Sequence, residues 1–562
     1  MTRTTYVSWS RALLLLALLA FWLAVGVSGA TATTLDQAAT PVATPAPPPE
    51  PDPSGIKLGS GSDLAGIAPG TLTADDFAAA AKSEPFAAKL ADMVNQNRLG
   101  VNFTWTLVAG FLVMFMQAGF ALVETGFCRA KNAAHTMAMN FMVYVLGLTG
   151  YFVCGFAFQN GGVGSVGVPN LGGLAVLNHE ITLGIGGIDW GIIGWKGFFL
   201  SDGTYDVGVA VMFLFQMVFM DTTATIPTGA MAERWKWSAF CVYGLVVSTI
   251  IYPIFANWAW GGGWLSQLGK VGLGQGYIDF AGSGVVHAVG GWTALAGALV
   301  LGPRLGKYNK DGSINPIPGH NLVIALLGCF ILAFGWFGFN PGSTLGAAGN
   351  GNLRIGLVAV ATMLASASGA ITAMVYTWVV AKKPDPAMMG NGLLAGLVAI
   401  TAPSGHVSPL NAFIIGIVAG VLVCLAVPFF DRIRADDPVG AISVHGVNGM
   451  WGQLAVGLFA DGTMNYGGTT VTGLFYGDAS QLVAQVIGAA VCFVWAFGIS
   501  YVFFTVQKAV MGIRVPEEVE LAGLDLPEMG MPGYAPDAEP YRGTFPIPAA
   551  PAAPVAAGVA GS

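Results

Sequence analysis

The sequence predicts an all-α membrane protein with eleven transmembrane helices, the first ten of which form an inverted repeat of five plus five. Composition gives the first observation: of 562 residues, 54% are hydrophobic and 9% are charged, and the mean hydropathy is +0.66. The second is a pair of histidines, His287 and His445, each in the middle of a long apolar run. These values are typical of a chain that crosses a bilayer many times. The net charge of −7 argues against a nucleic-acid partner.

Residues 1–32 have the pattern of a signal peptide. Arg3 and Arg11 precede an apolar stretch, 12–27, which small residues follow as at a secretory cleavage site. The stretch is short for a membrane span, although an uncleaved anchor helix is the alternative interpretation.

Residues 33–100 are predicted to form an exported extension. Proline, alanine and threonine dominate as far as residue 69, and this composition predicts a disordered linker. Thr73, with Asp76 three residues later, then predicts the capped start of a short polar helix within 73–98.

A transmembrane domain is predicted over residues 101–510, with eleven apolar segments of spanning length. In chain order these segments are 103–124, 137–158, 206–230, 238–259, 281–302, 320–340, 355–381, 387–402, 409–430, 439–460 and 481–507. His287 lies on the fifth segment and His445 on the tenth. Because five is an odd number, the second set of five helices is inverted relative to the first. Inverted repeats put the substrate path near the middle of the membrane, where the halves meet.

Basic residues indicate the orientation of the spans. Alternate connections and the C-terminal tail contain most of them: Arg129, Lys131, Arg234, Lys236, Arg304, Lys307, Lys310, Lys382, Lys383, Arg432, Arg434, Lys508 and Arg514. The other connections contain only Lys196, Lys270 and Arg354. The positive-inside rule therefore predicts a multi-pass protein of the cytoplasmic (inner) membrane, with the C-terminus in the cytoplasm and the mature N-terminus outside.

The two histidines share a local pattern, V-H-x-V-x-G, at 286–291 and 444–449. An ionisable ring at bilayer depth is costly and usually marks a permeation or proton path. A histidine that merely bonds a backbone carbonyl is the alternative, but two copies at corresponding repeat positions favour one shared site. Glycine beside each ring would let the helices approach closely.

Several separated motifs resemble those of the ammonium transporters, the Amt/Mep/Rh superfamily, over nearly the whole stretch from about 102 to 534. They are the two histidine segments, 279–287 and 436–447, the third-span segment 215–219, the outer-loop segment 258–263 and the sixth-span segment 335–343. The long N-terminal extension and Pro341, directly after Asn340, depart from the family pattern. The resemblance implies uptake of ammonium or methylammonium, as ammonia or as ammonia plus a proton, with no cofactor and no enzymatic reaction.

Carried over position by position, the resemblance implies an outer ammonium site formed by Phe219, Trp260 and Ser343. It implies that Phe219 and Phe339 stack as a gate. Aromatic faces attract a small cation, and a hydroxyl oxygen can accept from it. Each residue also has an ordinary interpretation, since Trp260 could be an interfacial anchor and the phenylalanines could fill the core.

Below the gate, the resemblance implies a hydrophobic pore lined by His287 and His445. The supporting residues that it implies are Asp279, Phe215, Gln216, Trp336 and Asn340. Asp279 could instead be a helix cap. Ammonium entering an apolar lumen loses its hydration, and releasing a proton at neutral pH costs about two pH units, or ~3 kcal/mol. Potassium has no proton to release, which gives a physical basis for selectivity.

Two carboxylates and the cysteines fall outside these motifs. For Asp221 we expect a hydrogen-bonded packing role, with a proton-path role left open, and Glu124 has no assigned role. All six cysteines lie within or beside apolar segments without CxxC spacing, which predicts buried free thiols.

The predicted cytoplasmic tail, 511–562, resembles the regulatory tail of the family over 514–518 and 521–530. In that family the tail can contact PII-type signalling proteins and a neighbouring subunit of a homotrimer. A flexible acidic tail is the alternative, and the Pro/Ala-rich sequence beyond Pro536 predicts disorder.

Two other function classes stay open at this point. An ammonium sensor, or transceptor, would keep the outer site with little net flux, but would be expected to carry a signalling domain beyond Gln507. A membrane haem or metal enzyme would use His287 and His445 as axial ligands.

Overall fold

The computed structural model describes residues 50–54, 58, 73–165, 167–168, 170–349, 352–463 and 470–534. The predicted signal peptide, most of the predicted linker and the end of the tail lie outside the described residues.

Helices occupy all eleven apolar segments. In chain order the α-helices are α1 Ala74–Ser83, α2 Pro85–Phe127, α3 Ala133–Gly150, α4 Phe156–Asn160, α5 Val207–Met231, α6 Trp237–Val246, α7 Tyr252–Trp260, α8 Val289–Leu301, α9 Leu322–Phe339, α10 Ile355–Ala381, α11 Pro386–Thr401, α12 Pro409–Arg432, α13 Asn448–Phe459, α14 Ala479–Met511 and α15 Glu517–Ala522. Turns of π-helix join α3 to α4 and α6 to α7, precede α8 and α13, and follow α15: Tyr151–Gly155, Val247–Ile251, Ser283–Ala288, Ile442–Val447 and Asp525–Met529.

Nine helices in the described part of the chain are long and apolar enough to cross a membrane. The eighth apolar segment, α11, has 16 residues and is shorter. The tenth, formed by the π turn Ile442–Val447 and α13, is not among the nine either. The helical membrane fold is therefore established, and the number of eleven crossings stays a prediction.

The first membrane helix is longer than its apolar segment. As predicted, Thr73 caps α1 in a capping box: its side chain accepts from the Asp76 N–H, and the Asp76 carboxylate accepts from the Thr73 N–H. However, α2 begins at Pro85 and runs without a break past the boundary predicted at residue 100. Proline suits the first turn of a helix, because the N–H that it lacks would have no partner there. Residues 85–100 are therefore part of the first membrane helix and not of a separate extension.

Close approaches hold the bundle together. Helix α2 packs along α9, α10 packs against α11 and α12, and α8 packs against α5 and α14. A Cβ atom on Gly291 of α8 would lie 2.1 Å from the Gly446 nitrogen in the π turn that carries His445. The two histidine-bearing elements thus meet backbone to backbone, as the neighbouring glycines predict.

A β-hairpin lies in the connection between α4 and α5. Strands β1, Glu180–Ile185, and β2, Ile188–Gly194, pair antiparallel through a turn in which Gly186 and Gly187 have φ of 63° and 76°. Two successive positive φ values are the signature of a tight hairpin turn, and glycine adopts them without strain. This hairpin is not among the elements predicted from the sequence.

At the opposite end of the bundle, the basic loops form a buried ion-pair network. Arg304 pairs with Asp436 at 2.9 Å and with Glu233 at 3.6 Å, and Arg129 also pairs with Glu233. Burial alone would raise the pKa of Asp436, but the hydrogen bonds of Arg304 and the charges of Arg234 and Arg304 hold it well below its ordinary value. The charges of Arg304 and Arg129 likewise lower the pKa of Glu233 against the effect of burial.

The tail packs against this same end as far as Tyr534. The Asp525 carboxylate accepts from the Ala134 and His135 N–H groups at the start of α3, and Glu528 accepts from the Trp237 N–H at the start of α6. Acidic side chains at helix N-termini satisfy free N–H groups and complement the helix dipole. This part of the tail therefore caps two membrane helices.

Candidate functional site

Each histidine helix begins after a carboxylate cap. Asp279 accepts hydrogen bonds from the backbone N–H groups of three residues, at 2.8–2.9 Å: Gly282, Gly284 and Val285. Asp437 accepts from three at 2.7–3.2 Å: Val439, Gly440 and Ile442. Each aspartate lies eight positions before its histidine. The contacts of Asp279 are therefore those of a helix cap, the alternative considered from the sequence. Its carboxylate fixes the start of the helix instead of projecting to a substrate.

These caps bring His287 and His445 into direct contact. The two Nδ1 atoms are 3.1 Å apart, the ring centroids are 5.3 Å apart with planes inclined by 23°, and both rings are buried. Between neutral rings one Nδ1 must donate and the other accept, so the pair leaves one Nε2 acceptor and one Nε2 donor. Among the described residues, the Nε2 atom of His287 has no hydrogen-bond partner.

A stack of aromatic rings leads to this pair. The rings of Phe219 and Phe339 lie 4.2 Å apart and nearly parallel, at 28°. Phe215 adjoins Phe219 at 4.6 Å, and Trp260 meets Phe219 edge-on at 6.1 Å. Phe339 in turn stacks on His287 at 5.3 Å. The residues singled out in separate motifs thus form one continuous column, with a Trp260 end and a histidine end.

At the Trp260 end, two polar side chains are held by the backbone. The Trp260 Nε1–H donates to the Asp279 carbonyl at 2.7 Å, and the Ser343 hydroxyl donates to the Phe339 carbonyl at 2.8 Å. Because the Ser343 hydrogen is used in this way, its oxygen lone pairs remain available to accept from a cation. Both side chains are partly exposed, as a recognition site requires.

The remaining supporting residues bind to the surrounding scaffold. Trp336 stacks on His287 at 5.2 Å and 18°, and its indole N–H donates to the Thr401 hydroxyl at 2.9 Å. The Asn340 amide donates to a threonine hydroxyl on α10 at 3.0 Å, and the Gln216 carbonyl accepts from a glutamine amide on α4 at 2.9 Å. Trp336 therefore contacts the column directly, whereas Asn340 and Gln216 join their own helices to neighbouring ones.

A family model described as the Ammonium Transporter Family matches residues 104–534, which contain the whole column. The chain belongs to the ammonium transporter family. It is 47% identical over 452 residues to ammonium transporter Amt2 of Archaeoglobus fulgidus, covering 79% of this chain and 90% of that protein. Ammonium transporter Amt1 of Haloferax mediterranei is 39% identical over 462 residues, covering 79% and 82%. The fold matches a solved structure named Sensor Amt Protein, at 37% identity and a TM-score of 0.66, covering 77% of this chain and 98% of that one.

In this ammonium transporter family member, the histidine geometry does not suit a haem with the two histidines as axial ligands. Trans ligation at about 2 Å per bond would hold the two ligating nitrogens about 4 Å apart, with the porphyrin ring between the imidazoles. The Nδ1 atoms of His287 and His445 are 3.1 Å apart and bond to one another instead.

Beyond the histidines, the path continues into a cavity of about 20 Å³, which we call the inner cavity. Its lining residues are Phe120, Val123, Glu124, Ile226, Leu332, Asn391, Leu394, Val439, Ala441, Val444 and His445. Glu124 is not among the site residues predicted from the sequence. The feature of the sequence that could have identified Glu124 as a functional residue is its position as an acidic residue at the end of an otherwise apolar first span.

Asp221 differs from its expectation. It is buried, at 2% exposure, but its Oδ1 atom has no hydrogen-bond partner among the described residues. The predicted hydrogen-bonded packing role is therefore not met at that atom. Asp221 does not line the inner cavity.

Proposed function

We propose that this ammonium transporter binds ammonium at the Trp260 end, where the ion gives up a proton to the external water, and passes ammonia between the phenylalanines to the histidine pair. Methylammonium would follow the same path. The observation that carries the proposal is the unbroken column from Trp260 through Phe219 and Phe339 to His287 and His445.

The outer site would consist of the faces of Trp260 and Phe219 and the lone pairs of Ser343. Cation–π attraction suits a small cation without apolar surface, and it is weak enough to permit release. Asp279 shapes this site through its backbone, since its main-chain carbonyl oxygen accepts from the Trp260 indole N–H.

The gate would be the Phe219–Phe339 stack. Rings 4.2 Å apart leave no room for a molecule between them, so at least one ring must rotate for each passage. A hydrated cation does not fit such an apolar constriction without losing its water, which is costly for an ion. Ammonium can avoid that cost by giving up a proton, whereas potassium cannot.

We also propose the membrane arrangement predicted from the sequence. Eleven crossings would leave the Trp260 end outside and the arginine-rich loops and the tail in the cytoplasm, in keeping with the positive-inside rule. A cleaved signal peptide, a homotrimer and a PII-type partner at the tail belong to this same proposal. The tail's contacts with α3 and α6 would let such a partner act on the membrane helices.

The sensor alternative keeps one specific support, namely the similarity to the solved structure named Sensor Amt Protein. A sensor would bind ammonium in the same outer site and carry little flux. Transport and sensing therefore differ in rate and not in the residues that bind.

The test is a current measurement on purified protein in proteoliposomes under imposed gradients. Under the proposal, ammonium and methylammonium are carried, and potassium gives a far smaller current. Potassium currents as large as those of ammonium would contradict the selectivity, and binding without flux of either charge or labelled methylammonium would favour the sensor.

A further inference from the structure

Glu124 lies near the C-terminal end of α2, beside the inner cavity. It is 2% exposed, and its carboxylate oxygens accept from the Asn140 amide at 2.6 Å and from the Thr228 hydroxyl at 2.8 and 3.0 Å. Both partners are neutral, and within the described ranges no lysine or arginine forms an ion pair with it. A carboxylate removed from water without a cation is strongly disfavoured. The Glu124 carboxyl is therefore stable in this position only when it is protonated or when a cation occupies the cavity.

The hydrogen bonds around Glu124 suit both of these states. The Thr228 hydroxyl has one hydrogen but several acceptors within reach, among them both Glu124 oxygens and the Thr225 carbonyl. If the hydroxyl donates to Glu124, the carboxylate is ionised. If it donates to the Thr225 carbonyl, the 2.8 Å contact between the Thr228 and Glu124 oxygens requires a proton on Glu124. Rotation of one hydroxyl thus accommodates the gain or loss of a proton.

The inner cavity is the right size for the transported molecule. A cavity of about 20 Å³ holds one water-sized molecule, and ammonia and ammonium are of that size. Glu124, His445 and Asn391 supply the polar part of its lining, and the other eight lining residues are apolar. A molecule that leaves the histidine pair would reach the Glu124 carboxyl before it reached bulk water.

We propose that Glu124 returns the proton to ammonia in this cavity. The O–H bond of the Glu124 carboxyl breaks and an N–H bond forms, which leaves an ammonium ion and a carboxylate. The ammonium ion departs to the cytoplasm, and the carboxylate then takes a proton from cytoplasmic water. This inference rests on the proposed function, because it requires that neutral ammonia passes the histidines.

Other titratable groups surround this site. His445 lines the cavity, and Asp437 at the start of the His445 helix carries a like charge. Cys128 follows α2 on the chain and Tyr243 lies on α6, and both are close enough to Glu124 to be affected by its charge. When His445 is neutral, none of these groups carries a positive charge at neutral pH. No neighbouring cation among them can therefore stabilise the ionised Glu124 carboxylate.

The first experiment compares Glu124→Gln with the wild type in proteoliposomes at several internal pH values. Glutamine keeps the size and hydrogen-bonding capacity of the side chain but has no exchangeable acid proton. Maximal methylammonium transport should fall on the order of a hundredfold, the usual loss when a positioned proton donor is removed. Transport should also lose its dependence on internal pH, and the concentration for half-maximal transport should stay unchanged.

Asp221→Asn is the matched control, because it makes the same chemical change in a buried carboxyl that does not line the cavity. It should transport near the wild-type rate. An equal loss in both variants would overturn the inference, since the effect would then follow from any buried carboxyl. Wild-type transport and pH dependence in Glu124→Gln would overturn it directly.

Infrared difference spectroscopy gives a readout that does not depend on transport or on the yield of active protein. Adding ammonium to the wild type should change the carbonyl-stretch band of a protonated carboxylic acid, and Glu124→Gln should lack that change. A band that is unaffected by the substitution would assign the proton elsewhere. If the wild type itself carried no ammonium, the proposed function would fail. If Glu124→Gln behaved like the wild type, only this inference would fail.

Discussion

The two ends of the path have the same backbone frame but different side chains. At both ends an aspartate, Asp279 or Asp437, accepts three backbone N–H groups and starts the helix that carries a histidine eight positions later. The Trp260 end then presents aromatic rings, and the opposite end presents the Glu124 carboxyl in a small cavity. The same capped backbone frame therefore occurs twice, whereas the side chains beside it differ at each end.

This difference agrees with what each end would do under the proposed function. A cation that arrives from water has to be recognised without being held tightly, which aromatic faces allow. A neutral molecule that has passed an apolar lumen needs a proton, which a buried carboxyl can carry. The following predictions test whether the two ends share a frame and differ in chemistry.

The largest effect is all-or-none and concerns which end faces outside. A tag inserted after Pro49 should be accessible on intact cells, and a tag after Gly533 only after lysis, because the positive-inside rule predicts that the tail lies in the cytoplasm. Labelling with a membrane-impermeant reagent measures this. Finding both tags on one side would mean that a span was miscounted.

The next largest effect tests the shared frame. Asp279→Ala and Asp437→Ala should each destabilise the protein by at least ~3 kcal/mol, because each leaves three backbone N–H groups without their acceptor, at ~1–3 kcal/mol per buried group. Thermal unfolding in detergent measures the loss. The asparagine variants keep one acceptor oxygen and should lose less.

A smaller effect tests the Trp260 end alone. Trp260→Ala and Ser343→Ala should each raise the concentration for half-maximal transport about fivefold, because each contact is worth ~1 kcal/mol. The maximal rate should change little, since neither residue belongs to the histidine pair. Methylammonium uptake kinetics measure both quantities. A collapse of the maximal rate with unchanged half-saturation would contradict the assignment of this end to recognition.

The smallest expected effect is a difference in pH dependence between carboxylates at the hairpin face of the bundle and those at the opposite, arginine-rich face. Burial raises the pKa of Glu180 in β1 to about 7, against a hydrogen bond from Asn257 that lowers it, whereas arginines lower the pKa of Glu233 and Asp436 at the other face. A raised carboxyl pKa means that the protonated form stabilises the folded hairpin. That stability should decline as the pH rises from about 4.5 towards 7, the ordinary and folded values.

Hydrogen exchange of the hairpin amides measures this decline, and Glu180→Gln should remove its pH dependence. At the arginine-paired face the sign is opposite, so stability should be lost only as the pH falls below the ordinary carboxylate range. Equal pH dependence at both faces would contradict the contrast.

Periodicity and apolar length were enough to locate the helices. All eleven segments are helical, and Thr73 caps α1 as predicted. The start of α2 at Pro85 was missed because the polar residues 85–100 have no hydropathy signal, although nothing in them breaks a helix. The hairpin was missed because its strands expose most side chains and lack a clear alternation of polar and apolar residues.

The site was predicted from motifs and corrected by contacts. The motifs identified both members of the 4.2 Å phenylalanine stack and of the histidine pair, but no local pattern states how far apart such residues lie in space. Asp279 could be a cap or a ligand from its sequence, and only its three backbone hydrogen bonds decide between them. The position of Glu124 beside the inner cavity results from the packing of α2 against α3 and α5, and sequence spacing does not reveal that packing.

The central claim is that His287 and His445 act as one unit on a nearly neutral substrate. The most direct measurement compares His287→Leu, His445→Leu and the double variant for ammonium and potassium currents in the same proteoliposomes. Because the rings bond to each other, removing either should alter the maximal rate or the ammonium-over-potassium ratio, and the second substitution should add little. Two small independent effects that simply add, with selectivity unchanged, would contradict the account.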